Sequence, residues 1–88
     1  MNIGFTRAFE KQVDLIRDNK LKEEIADVVR TAMTVKSLNE IPNIKKLKGY
    51  KSAYRIRTGN YRIGIIFQHA VIYFIAFAHR KDIYRIFP

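Results

Sequence analysis

Eighty-eight residues, 48% hydrophobic and 28% charged, make one domain over 1–88 with a modest core, which excludes a two-domain enzyme and a solvated tail. With no cysteine, and with His69 and His79 as the two histidines, disulfide scaffolds, thiol nucleophiles and histidine-rich metal centres are excluded, so no metal and no other cofactor is expected. The net charge of +9 is one-sided: Met1 to Ile44 holds seven basic and seven acidic residues, whereas Lys45 to Pro88 holds ten basic residues against the single Asp82, a field that favours a polyanion such as nucleic acid.

The chain opens on a short alternation with Ile3 and Phe5 on one side, an edge strand of four or five residues. Thr6 suits the cap of a helix whose Phe9, Val13 and Ile16 recur at i, i+4 and i+7. Asn19-Lys20 interrupts that pattern. Leu21, Ile25, Val28, Val29, Ala32 and Met33 then mark a second helix, and so short a connection predicts an antiparallel helical hairpin. From Val35 to Ser52 no period holds, which predicts a long loop carrying Lys45, Lys46, Lys48 and Lys51, pinned to the core by Ile44 and Leu47. Tyr54 and Ile56, then Tyr61, Ile63, Ile65 and Phe67, alternate as two strands with Gly59-Asn60 as a two-residue hairpin loop. Gln68-His69 makes a second turn, and the run Ala70 to Ala78, apolar at odd and even positions alike, predicts a strand covered on both faces in the middle of the sheet. The whole is an α+β domain: a strand, a helical hairpin, a three-stranded antiparallel meander and a short C-terminal tail. No apolar run approaches the roughly 18 residues of a membrane span and the first residues do not read as a signal peptide, so a cytoplasmic protein without a membrane partner is expected.

A two-residue loop at Gly59-Asn60 sets Arg57 opposite Arg62, Ile56 opposite Ile63, Arg55 opposite Gly64 and Tyr54 opposite Ile65. One face then carries Tyr54, Ile56, Ile63 and Ile65, the seat for the helices. The other gathers Arg55, Arg57 and Arg62, with bare Gly64 leaving room beside Arg55. Like charges directly across a strand pair cost up to about 1 kcal/mol, so the arrangement points to an anion site, for which guanidinium forks match phosphate oxygens. Farther along, strict alternation puts Arg80 with Ile72 and Phe74 and puts His79 with Tyr73 and Phe77, so the two converge only if the strand ends or bulges.

Leu47-Lys48-Gly49, the run Tyr54-Arg55-Ile56-Arg57-Thr58-Gly59-Asn60-Tyr61-Arg62, and His79-Arg80-Lys81-Asp82-Ile83-Tyr84 together resemble the RelE/ParE superfamily of bacterial and archaeal toxins from toxin–antitoxin pairs. The resemblance spans nearly the whole chain. It implies a RelE-like fold and, on the RelE branch, a ribosome-dependent endonuclease that cuts mRNA in the ribosomal A site without metal. The site it implies is Arg55, Arg57, Arg62, Arg80 and Tyr84. RelE-type enzymes often have lysine where this chain has Arg55 and Arg57, and an arginine does not give up its proton, so the general base stays open among Tyr84, His79, Lys51 and Glu40. Lys45, Lys46, Lys48 and Lys51 are the expected contacts to RNA and ribosome. The implied partners are an acidic RelB-like antitoxin, the ribosome and mRNA, with a free toxin that is monomeric and a hetero-oligomer once the antitoxin binds. The alternative within the superfamily is a ParE-like inhibitor of DNA gyrase without nuclease activity.

Overall fold

The computed structural model describes residues 1–88. Its elements in chain order are β1 (Asn2–Phe5), α1 (Arg7–Asp14), α2 (Asn19–Thr34), a 3₁₀ turn (Leu38–Glu40), β2 (Ile44–Lys46), β3 (Ala53–Thr58), β4 (Tyr61–Gln68), β5 (Val71–His79) and α3 (Ile83–Ile86). Thr6 ends β1 and starts α1, its hydroxyl accepting from the Phe9 N–H at 3.1 Å. Asp18 starts α2 in the same way, its carboxylate accepting from the N–H groups of Lys20 and Leu21. The break between the helices therefore lies at residues 15–18. Asn19-Lys20, which the sequence marks as the interruption, forms the first turn of α2, because the capping carboxylate stands one residue earlier.

The five strands form one sheet in the order β1-β5-β4-β3-β2, parallel between β1 and β5 and antiparallel elsewhere. The alternating strands and the Gly59-Asn60 hairpin have the expected register, Arg57 facing Arg62 and Arg55 facing Gly64. Two expectations need correction. The segment 35–52 is not a bare loop: Ile44, Lys45 and Lys46 pair with Ile56, Arg55 and Tyr54 as a fifth strand, too short and too charged to show a period. The last turn is His69-Ala70 rather than Gln68-His69, with φ of +52° and +62° at its two central positions and Gln68 paired to Val71. The strand β5 is interior as expected, paired on one side with β4 and on the other with β1.

Helical and strand periodicities meet in the main core. Phe9 of α1 and Ile25 and Ala32 of α2 pack with Ile56, Ile63, Ile65, Ile72, Phe74 and Phe77 on one sheet face, and Ile44 leans on the same cluster. On the opposite face a smaller cluster joins Ala53 and Ala76 to Ile83 and Phe87 of the C-terminal segment, with Leu47 against it.

A β-bulge decides which face the end of β5 serves. Gly64 pairs with Ala76 and Ile65 with Phe74, so Ile75 has no partner residue and the parity of β5 inverts there. Before the bulge Ile72 and Phe74 face the helices; after it Phe77 does, while Ile75, Ala76 and Ala78 lie against the smaller cluster. Backbone groups of β5 beyond the end of β1 are met by α1 and its cap. The Thr6 hydroxyl donates to the Ile75 carbonyl at 2.9 Å, and the Gln12 side-chain oxygen accepts from the Phe77 N–H at 2.7 Å.

Gly64 makes the tail's seat. A Cβ built there would fall 2.5 Å from the Phe87 ring, so the space that the sequence suggests beside Arg55 is filled by Phe87. Overpacking at such a contact costs about 1–3 kcal/mol, and Gly64→Ala is expected to destabilise the fold by that much. In a Phe87→Ala background the same substitution should be close to neutral, since the obstructing ring is gone. Denaturant unfolding of the two single variants and the double variant checks the expected non-additivity.

Candidate functional site

Three strands and the segment after β5 bring cations to the face opposite the main core. Lys45 of β2 pairs with Arg55 of β3, and Arg55 with Gly64 of β4; one rung over, Arg57 pairs with Arg62, and Arg62 with Ala78. Arg80 follows Ala78 by two residues on the inverted parity, and its N–H donates to the Asn60 carbonyl at 2.8 Å, tying the end of β5 to the hairpin turn. Lys45, Arg55, Arg62, Arg80 and Lys81 surround an open cleft of about 600 Å³, with Tyr84 of α3 as its aromatic wall. Tyr84 is 71% exposed, while Phe87, one turn on, is buried. Phe87 anchors the tail and leaves the Tyr84 side chain exposed beside the cleft.

Hydrogen bonds fix the guanidinium groups. Arg62 Nη1 donates to the carbonyls of Gly59 at 3.0 Å and Tyr61 at 2.9 Å. Arg57 lies beside the cleft and not in its wall, its Nη2 donating to Asn43 Oδ1 at 3.3 Å. The Arg55 guanidinium carbon lies 4.8 Å from the centroid of the Tyr84 ring, a cation–π contact that occupies that side of the ring.

No carboxylate balances these charges. The two ion pairs of the molecule, Arg30 with Asp27 and Arg85 with Asp82, are exposed and leave the cleft cations unpaired. The consequence shows in two acidities. Burial, and then the charges of Arg57, Arg55 and Arg80, hold the Arg62 guanidinium below its ordinary value. Arg55, as hydrogen-bond donor and as charge, together with Arg62 and Lys45, holds the Tyr84 phenol below the usual tyrosine range. A phenol so shifted carries more phenolate near neutrality than a free tyrosine, and the surrounding cations suit a phosphate.

Of the residues expected at the site, Arg55, Arg62, Arg80 and Tyr84 converge and Arg57 flanks them. Lys45, expected as an outlying RNA contact, is part of the cleft because β2 carries it there. Lys46, Lys48 and Lys51 instead surround the neighbouring 47–50 turn. His79 faces the other side, edge-on to Tyr61 with ring centroids 5.4 Å apart, and its Nδ1 accepts from the Lys81 N–H at 3.2 Å. Glu40 is engaged as a helix cap by the N–H groups of Lys36 and Ser37. Lys81 was not expected; the turn that bonds the Asp82 N–H to the His79 carbonyl curls it into the cleft, and no periodic signal marks it. The structure holds no cluster of three or more His, Asp or Glu side chains suited to a metal ion.

No family model matches the chain. Toxin RelE3 of Methanocaldococcus jannaschii is 38% identical over 89 aligned positions that span the full length of both proteins. The chain belongs to the RelE toxin family. A chain of the RelB–RelE antitoxin–toxin complex from Methanococcus jannaschii matches this RelE-family protein with a TM-score of 0.82 at 38% identity, covering 97% of this chain and 99% of that one. The archaeal RelE–RelB complex of Pyrococcus horikoshii OT3 gives 0.72 at 17% identity over 90% and 93%. The isolated RelE toxin of E. coli gives 0.67 at 15% over 97% of each chain, so at low identity the fold itself is shared.

Tyrosinate absorbance tests the electrostatics of this RelE-family cleft. Tyr84 should ionise below the ordinary tyrosine value, and Tyr84→Phe should abolish that step. Arg55→Ala should move it upward toward the ordinary value of about 10, since the phenolate then loses its nearest cation.

Proposed function

We propose that the protein is the toxin of a toxin–antitoxin pair and acts as a metal-independent endoribonuclease, cutting mRNA in the ribosomal A site. The observation that carries this reading is the cleft of unpaired cations built against one phenol of lowered pKa. Cleavage of RNA without metal uses the 2′-hydroxyl as nucleophile on the adjacent phosphorus. The bond to the 5′-oxygen breaks, leaving a 2′,3′-cyclic phosphate on one fragment and a 5′-hydroxyl on the other. Tyr84 as phenolate accepts the 2′-hydroxyl proton, and the departing 5′-oxygen takes its proton from water in the open cleft. Arg62 and Arg80, with Arg57 beside them, stabilise the charge that grows on the phosphorane oxygens, and Arg55 holds both the phosphate and the Tyr84 ring. His79 and Glu40 have structural partners outside the cleft and take no part.

The cleft is open on one side, so the chain does not enclose its substrate; the ribosome supplies the in-line geometry, an effect worth several kcal/mol of barrier. Lys46, Lys48 and Lys51 lie outside the cleft and suit contacts to ribosomal RNA backbone. The partner that silences the toxin is an acidic RelB-like antitoxin, of the kind with which the Methanococcus jannaschii and Pyrococcus horikoshii relatives were crystallised, and it joins a monomeric toxin into a hetero-oligomer. An acidic, partly disordered segment is suited to cover a surface of this charge.

Purified protein added to programmed ribosomes should produce new mRNA 5′ ends, read by primer extension. Arg62→Ala should lower the single-turnover rate by about 10²- to 10³-fold, the usual effect of removing one transition-state donor. Its thermal stability should stay equal or rise slightly, because the Arg57 repulsion is relieved. Lys46→Ala combined with Lys51→Ala should instead weaken ribosome binding in a salt-dependent manner while the cleavage step in saturated complexes is nearly unchanged. Efficient cutting of naked RNA at micromolar protein would contradict the ribosome dependence. Growth arrest through DNA gyrase with no mRNA cut would replace this reading by the ParE-like one.

A further inference from the structure

Beside the cation cleft lies a second, smaller pocket of about 240 Å³, and it has a different chemistry. Leu47, Tyr50, Phe87 and Pro88 give it apolar walls, and it shares Arg55 and Tyr84 with the cation cleft. Its position follows from a turn. The Tyr50 N–H donates to the Leu47 carbonyl at 3.3 Å, and Gly49 at the third position has φ of +88°, a type II turn that needs a glycine there. That turn holds Tyr50 47% exposed at the pocket, and its ring pairs with no other aromatic side chain of the molecule. Tyr84, by contrast, already has Arg55 over one side of its ring.

An apolar slot bordered by a free aromatic ring, joined through a shared arginine and tyrosine to a cluster of cations, matches the two ends of a nucleotide. We infer that this pocket is a nucleobase subsite, in which Tyr50 stacks on an unstacked base of the RNA whose phosphate occupies the neighbouring cation cleft. The inference rests on the proposed binding of RNA phosphate there and adds a residue and a ligand group to it. Base–aromatic stacking is tolerant of sequence, because every base has a π-face, so the subsite adds affinity without selecting one base. Lys48, also at the pocket, adds positive charge beside the site.

The test uses the free full-length protein and three probes: inorganic phosphate, ribose 5-phosphate and adenosine 5′-monophosphate, with binding followed by NMR titration. Adenosine monophosphate should bind roughly 5- to 100-fold more tightly than ribose 5-phosphate, the range that one base–aromatic stack provides. Tyr50→Ala should erase that ratio and leave ribose 5-phosphate binding as it was, whereas Tyr50→Phe and Tyr50→Trp should keep it. Melting curves confirm that each variant is folded. Equal affinities for the two organic phosphates overturn the inference and leave the pocket to a side chain of a protein partner. So does a ratio that survives Tyr50→Ala and disappears in Tyr84→Ala. Failure of the underlying reading looks different: Arg62→Ala would then leave inorganic phosphate binding unchanged, whatever the base ratio.

Discussion

Arg57 stands directly across from Arg62, and that pairing is the constraint on which the other features of the molecule depend. It is imposed by the two-residue turn at Gly59-Asn60, where Gly59 takes a φ of +57°. Slipping one strand by a residue would turn either Ile56, or Ile63 and Ile65, to solvent and carry Arg57 or Arg62 into the core, so the isoleucines enforce what the arginines oppose. The magnitudes settle the contest. A like-charge pair across strands costs up to about 1 kcal/mol, while each fully buried isoleucine contributes about 1.5–3 kcal/mol. Three fully buried isoleucines on these two strands hold the cations together with a wide margin.

The bulge at Ile75 extends the same logic to the far side of the cleft. Regular alternation would have turned Arg80 toward the helices and His79 toward the arginines. One extra residue exchanges them, and the cleft gains a guanidinium where it would have had an imidazole. Phe87 on bare Gly64 then closes the arrangement, since it fixes the single turn of α3 that carries Tyr84. A site of five cations and a phenol thus rests on one turn, one bulge and one missing Cβ.

What was legible in the sequence is what has a period or a compulsory turn. The helices, the β3–β4 register and the facing arginines all follow from apolar spacing and Gly59-Asn60. Three features do not follow, each for a local reason. The strand β2 has three residues, two of them lysine, and exists because β3 offers an open edge. Lys81 reaches the cleft through a turn bond after β5, which leaves no mark on composition. The role of Phe87 depends on a contact between residues far apart in sequence, visible only once Gly64 and the C-terminal segment are seen together. The bulge is foreseeable as a possibility, but at its position the Ile75 carbonyl meets the Thr6 hydroxyl, a long-range contact that no pattern within β5 records.

The parallel pairing of β1 with β5 joins Asn2 to Val71 and Phe5 to Phe74. During synthesis both helices leave the ribosome long before the sheet face that buries them exists, and β1 waits without a neighbour until β5 is made. Arg80 and Tyr84 come later still. Contacts so distant along the chain slow folding, because a large loop must close before any of them forms. A ribosome translating this message therefore carries a partial chain in which the cleft is missing its last walls. The cleft is complete only after those residues have left the machine it is proposed to attack.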